Sequence, residues 1–243
     1  MHDIVILAGG KADTETQEKL GVISTSELPW RGSTFLDHVH SVASEFTDPI
    51  VIGGPERPNF RQAPGGKSFV ESLQTGASLV KSSHFLLITA DLPFLKADSI
   101  RQFLSNTDPD AGWNYPIIPL ELCQKEFPEL PRTSLKLREG LFTGGNICLI
   151  EISAFKAALP IIQKSYDARK SPIKLGQIAG IKTLALILAT KLIPRATPIP
   201  ALEKTVGKFL KSPAKAVITH AADIGTDIDS YSQYQAIIRG SES

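Results

Sequence analysis

The sequence predicts an α/β fold: a mostly parallel sheet with helices on both faces. Short apolar runs that stop at glycine or an acid recur as "DIVILA" (3–8), "DPIVIGG" (48–54) and "HFLLITADLPFL" (84–95). Each has the length and continuous apolarity of a buried parallel strand. Segments with helical spacing separate them. The chain has 243 residues, 42% hydrophobic and 21% charged, enough for one large core. Strand–helix alternation joined by right-handed crossovers places the strand C-termini on one edge, where such sheets bind ligands.

"STFLDHVHSVASEF" (33–46) spaces Phe35, Val39, Val42 and Phe46 along one helix face. "KSFVESLQTGASLVKS" (67–82) does the same with Phe69, Leu73, Ala77 and Val80. "ADSIRQFLSN" (97–106) places Asp98 as a capping acid ahead of its helix. The stretch 110–150 mixes short apolar runs, prolines and a glycine pair, and reads as an irregular hairpin or lobe over the sheet edge. Residues 153–170 form a helix with a kink expected at Pro160. Residues 173–193 read as an apolar helix or pair, and 198–211 as another helix. "AKAVITH" (214–220) is a late strand and "SYSQYQAIIRG" (230–240) a closing helix. One domain thus spans 1–243, with a helical insertion at 160–211.

A net charge of +1 provides no global field for nucleic acid or an anionic membrane, so an anion site must be local. Cys123 and Cys148 are too few for a disulfide framework and read as buried thiols. The start, "MHDIVILAGG", has no basic n-region. The longest apolar stretch, "TLALILATKLI" (183–193), carries Lys191 and is too short to span a bilayer. The expectation is a cytoplasmic protein that binds no nucleic acid and no membrane, with 183–193 available as a homodimer seam.

Gly9–Gly10 after the first strand reads either as a tight turn or as an anion-binding nest of successive backbone N–H groups. Asp91 ends a buried strand; a cap, an ion pair or a Mg²⁺ ligand would each account for it. Asp227 and Asp229 alternate along an extended segment and so point the same way; a solvated turn or cap is the other reading. "RTSLKLRE" (132–139) would place Arg132, Ser134, Lys136 and Arg138 on one strand face, either solvated or as a basic wall for an acceptor phosphate. Arg169 and Lys170 read as surface cations. His38 and His40 are two apart on a helix and share no face.

With "VILAGG" (5–10), "LPWRGSTFLDHV" (28–39), "LLITADLPFL" (86–95), "FTGGNICLI" (142–150) and "DIGTDIDSYSQYQ" (223–235), the chain resembles the MobA-like NTP transferases over its whole length. The resemblance implies a Rossmann-like, glycosyltransferase-A-type (nucleotide-diphospho-sugar transferase) three-layer sandwich. It implies transfer of a nucleoside monophosphate from an NTP to a phosphorylated small-molecule acceptor, with release of pyrophosphate and Mg²⁺ as cofactor. Leu7, Ala8, Gly9 and Gly10 match the nucleotide loop. Asp91 matches the metal-binding aspartate and Asp229 the second ligand, with Asp227 close by. Gly144, Gly145 and Asn146 match the acceptor-holding stretch. The chain departs from the family signature L-A-G-G-x-S-x-R-M-G-x-x-K, since the signature arginine is missing and the lysine slot falls near Thr25 or Ser26. Lys11 and Lys19 are the nearest replacements for the triphosphate grip. Two other readings stay open: a nucleotide-binding module without turnover, and a sugar-nucleotide glycosyltransferase using Asp227-Ile-Asp229 as its D-x-D.

Overall fold

The computed structural model describes residues 2–168 and 197–241. Strands β1 (Asp3–Leu7), β4 (Ile50–Ile52), β5 (Arg61–Ala63) and β6 (His84–Thr89) run parallel in the order β5-β4-β1-β6, as the alternating pattern requires. The small strands β2 (Pro29–Trp30) and β3 (Ser33–Thr34) form a separate hairpin. Helix α1 (Thr14–Leu20) follows the opening loop, α2 (Phe35–Ser44) and α3 (Phe69–Leu79) lie between parallel strands, and α4 (Ala97–Ser105) follows β6.

The region 110–150 corrects its sequence reading. It is no lobe over the edge but the continuation of the sheet. Strand β7 (Trp113–Pro119) leads into α5 (Leu120–Glu126), and β8 (Leu135–Lys136), β9 (Leu141–Gly144) and β10 (Ile147–Glu151) follow. Strand β10 pairs antiparallel with both β6 and β7, and β9 pairs antiparallel with the far end of β7. A bend at Gly145–Asn146 lets β9 and β10 act as one long strand. Pro116 hides β7 in the sequence, because a residue without an N–H reads as a break in a strand. Here the Pro116 carbonyl accepts from the Gly145 N–H at 3.0 Å, at the bend.

Helix α6 (Ile152–Asp167) runs through Pro160, α7 spans Ile199–Leu210, β11 (Ala214–Ile218) pairs parallel with β7, and α8 (Tyr231–Ser241) closes the chain. Among the described residues the sheet has nine strands. Helices on its two faces create two main cores. One holds Ile4, Ile6, Leu86, Ile88 and Phe103; the other holds Val5, Ile52, Phe85, Trp113 and Phe155. Much of the expected 160–211 insertion, including the apolar stretch 183–193 with its dimer seam and Arg169 and Lys170, lies outside the described residues. Among the described residues, no helix is long and apolar enough to cross a membrane. Cys123 is buried, Cys148 is half-buried, and both are free thiols.

Three local expectations are corrected. Phe69 does not face the core but is 48% exposed at the start of α3. The run 132–139 is a strand only at Leu135–Lys136, so Arg132, Ser134, Lys136 and Arg138 form no common strand face. Asp98 does not cap α4; it is exposed and pairs with Arg101 at 2.6 Å. The cap comes from Asp223, 3% exposed, whose carboxylate accepts from the Lys96 N–H at 2.9 Å and from the Ser99 hydroxyl at 2.8 Å. No local pattern could reveal a cap supplied from 127 residues away. Asp223→Ala removes that cap and leaves a buried hydroxyl unpaired. Chemical denaturation should register a loss of about 2–3 kcal/mol, whereas Asp98→Ala, which removes only an exposed ion pair, should leave the unfolding midpoint unmoved.

Candidate active site

The parallel strands end side by side, and short hydrogen bonds fix their order. The Ala8 N–H donates to the Ile52 carbonyl at 2.9 Å, the Ala90 N–H to Leu7 at 3.0 Å, and the Thr89 N–H to Asn146 at 3.3 Å. The edge therefore presents Gly53–Gly54, Ala8–Gly10, Asp91 and Asn146 in one row. Sequence-predicted residues separated by more than a hundred positions meet there.

In the opening loop, Leu7 and Ala8 are buried and Gly9 and Gly10 are exposed. Serine hydroxyls occupy the loop's carbonyls. Ser24 Oγ donates toward the Ala8 and Gly10 carbonyls at 2.9 and 2.7 Å, and Ser26 Oγ donates to Ala8 at 2.9 Å. The N–H groups of Gly9, Gly10 and Lys11 find no hydrogen-bond partner among the described residues. Three successive free donors, with their neighbouring acceptors already satisfied, form a surface suited to an anion. Thr25 and Ser26, where the family's lysine would fall, are buried under this loop, 6% and 1% exposed. Lys11 is exposed on the loop itself, while Lys19 is exposed in the last turn of α1.

Asp91 lies two residues beyond the end of β6. Its Oδ1 is sealed from solvent without a hydrogen-bond partner. Burial, reinforced by the charge of Asp227, pushes its carboxyl up to about 6. The neighbouring Thr89 side chain works in the opposite direction and only partly offsets the rise. Asp229 is also raised, by burial and then by the charges of Asp227 and Asp91. Asp227 Oδ1 accepts from Asn146 Nδ2 at 3.0 Å. The Ile228 N–H donates to the Asp91 carbonyl at 3.1 Å, tying the late loop to the end of β6. The three aspartates therefore converge, and among the described residues no lysine or arginine forms an ion pair with any of them. Nor do the described residues form a ready-made cage of three metal-ligating side chains. A hard divalent cation that keeps substrate oxygens in its shell fits such a set, since it needs few protein carboxylates and would relieve their mutual repulsion.

Beside the aspartates lies a cleft of about 360 Å³, lined by Asp227, Asp229, Asn146, Gly144, Tyr115 and Arg132 among others. Gly144 and Asn146 thus both face it. Gly145 does not line it but is buried, where a Cβ would stand 2.7 Å from Pro116 Cγ. The Tyr115 ring lies against Gly144, where a Cβ would meet the phenol oxygen at 2.3 Å. Burial first, and the charges of Cys148 and Asp227 after it, push the Tyr115 phenol up.

Two residues organise the site in ways the sequence did not disclose. Arg132 donates from Nη1 to the Gly225 carbonyl and from Nη2 to Thr226 Oγ1 at 2.6 Å, just ahead of Asp227. Its charge therefore serves the aspartate loop rather than a free basic wall. Asp13 accepts from the Thr16 N–H at 2.6 Å, capping α1, and from the Tyr231 N–H at 3.2 Å. It links the glycine loop's helix to the start of α8. Arg132→Lys keeps the charge but loses the forked geometry. We expect a loss of roughly tenfold or more in divalent-ion affinity, read by calorimetry, with the fold intact.

Part of the sequence and the fold as a whole have counterparts among known proteins. Residues 4–118 match the MobA-like NTP transferase domain. A hypothetical transferase from Thermus thermophilus is 28% identical with a TM-score of 0.84, over 96% of this chain and 100% of that one. A nucleotidyl transferase from Methanothermobacter thermautotroptrophicus is 15% identical with a TM-score of 0.57, over 98% and 96% of the two chains. The 2-C-methyl-D-erythritol 4-phosphate cytidylyltransferase from Thermus thermophilus is 12% identical with a TM-score of 0.54, over 100% and 99%. These last two share the fold, that of the nucleotide-diphospho-sugar transferases. No curated protein sequence matches.

Proposed function

We propose that this chain, whose residues 4–118 match the MobA-like NTP transferase domain, is a Mg²⁺-dependent nucleotidyltransferase acting on a phosphorylated acceptor. The observation that carries the reading is the convergence of Asp91, Asp227 and Asp229 beside a loop with three free backbone donors.

The Gly9, Gly10 and Lys11 N–H groups would bind triphosphate oxygens, and the Lys11 side chain would approach the pyrophosphate end. Asp91, Asp227 and Asp229 would hold the cation. When bound, the cation would supply charge neutralisation at the phosphates. Asn146 keeps Asp227 oriented through its 3.0 Å hydrogen bond and leaves the Asp229 side of the cleft to the acceptor. An acceptor phosphate oxygen attacks the α-phosphorus. The bond from that phosphorus to the bridging oxygen breaks, and pyrophosphate departs with the electron pair. No protein nucleophile is needed, because phosphoryl chemistry of this kind rests on placement and charge.

The burial of Thr25 and Ser26 at the family's lysine position favours a second reading, a nucleotide-binding module without turnover. Incubation with each NTP, Mg²⁺ and a panel of sugar phosphates separates the two. Pyrophosphate release that disappears in Asp229→Asn supports the transferase. Saturable nucleotide binding with no pyrophosphate from any acceptor supports the module.

A further inference from the structure

A second cavity, of about 540 Å³, lies on the other side of Tyr115. Leu87, Trp113, Ile117, Phe142, Leu202 and Val206 are among its lining residues, and its wall is almost wholly apolar. Its Glu203 and Lys215 side chains neutralise each other at 3.4 Å. Such a space offers nothing to a phosphate and much to a hydrocarbon.

The cavity adjoins the polar cleft. Tyr115, Thr143 and Gly144 line both. The Tyr115 ring is 44% exposed between them. Three of the seven large apolar side chains left exposed among the described residues border it. Phe69 is 48%, Tyr115 44% and Val206 37% exposed, and all three border this cavity. Apolar patches that concave and that contiguous mark binding surfaces. Trp113, only 9% exposed, lines the cavity and so reports on what enters it.

We propose that the acceptor is amphiphilic, with its phosphate in the Asp227–Asn146 cleft and an apolar tail passing Tyr115 into the cavity behind it. This rests on the transferase reading for the polar end only. The tail site stands on the cavity's own chemistry. Tyr115, apolar in its ring and polar at its hydroxyl, suits the junction.

Alkyl phosphates of increasing length test the idea below their micelle thresholds. Hexyl, octyl and decyl phosphate should bind with affinity rising roughly tenfold for every two carbons. Inorganic phosphate should bind far more weakly. Trp30→Phe leaves Trp113 as the remaining one of the chain's two tryptophans, and its fluorescence should still change on decyl phosphate binding. Val206→Glu, which charges the rim, and Ala216→Leu, which fills the cavity, should each weaken decyl phosphate at least tenfold. Affinity independent of chain length overturns the proposal, as does full decyl phosphate affinity in both folded variants. Pyrophosphate release from NTP with decyl phosphate no better than with a short polar phosphate, and unchanged in both variants, would sink the tail site and leave the transferase standing. Chain-length-dependent binding in a protein that binds no NTP would do the reverse.

Discussion

Replacing Asp91 by Asn should make the metal-free protein more stable at pH 8 while it abolishes catalysis. The Asp91 carboxyl is pushed up to about 6 by burial and the Asp227 charge, against an ordinary value near 3.9. Ionising it in the folded state therefore costs more than ionising it in the unfolded chain. Below about pH 4 both states hold the proton and the cost is absent. As pH rises through about 6 the cost becomes complete and the metal-free protein loses stability, by at most about 3 kcal/mol. Asn cannot ionise, so the variant should melt several degrees higher than wild type at pH 8 and at the same temperature at pH 4. Mg²⁺ should raise the wild-type midpoint at pH 8 and leave the variant's unchanged. Pyrophosphate release should fall at least about a hundredfold. A variant less stable than wild type at pH 8 would mean that Asp91 serves the fold and is not a waiting ligand.

That result would follow from a part of the site that is legible in the sequence. Strands β1, β4 and β6 each stop within two residues of a position the chain marks plainly: Gly9, Gly53 and Asp91. Parallel pairing then places those ends together without further information. The alternation of Asp227 and Asp229 is equally local. What escaped the sequence depends on contacts between distant segments. Asp223 caps α4 and Arg132 grips Gly225, and neither partnership has a local signature. The same holds for Asp13, whose second carboxylate oxygen meets Tyr231 across 218 positions. The antiparallel half of the sheet is hidden for a related reason. Its strand β7 carries Pro116 and Pro119, and only pairing partners on both sides make a proline-bearing strand readable.

The second large effect separates two uses of glycine along the same edge. Gly54 adopts φ +74°, and a Cβ there would stand 2.8 Å from Ala8 Cβ and 3.1 Å from the Ala8 carbonyl. Gly54→Ala combines a left-handed backbone with a collision against the loop that begins at Ala8 and should cost about 2–4 kcal/mol in denaturation. Gly9 is different. Its φ is not positive, and a Cβ there would touch nothing within 4 Å. Nothing among the described residues requires glycine at this position. Gly9→Ala should therefore leave stability within about 0.5 kcal/mol of wild type. If the free N–H groups of Gly9, Gly10 and Lys11 receive phosphates, the added methyl stands where the ligand must approach. Nucleotide affinity should then fall at least about tenfold by calorimetry, with the melting midpoint unmoved. Undiminished nucleotide affinity in Gly9→Ala would show that this loop is a turn and nothing more. Lost affinity in a fully stable protein assigns the bare backbone at Gly9 to the ligand, because the fold has no use for it.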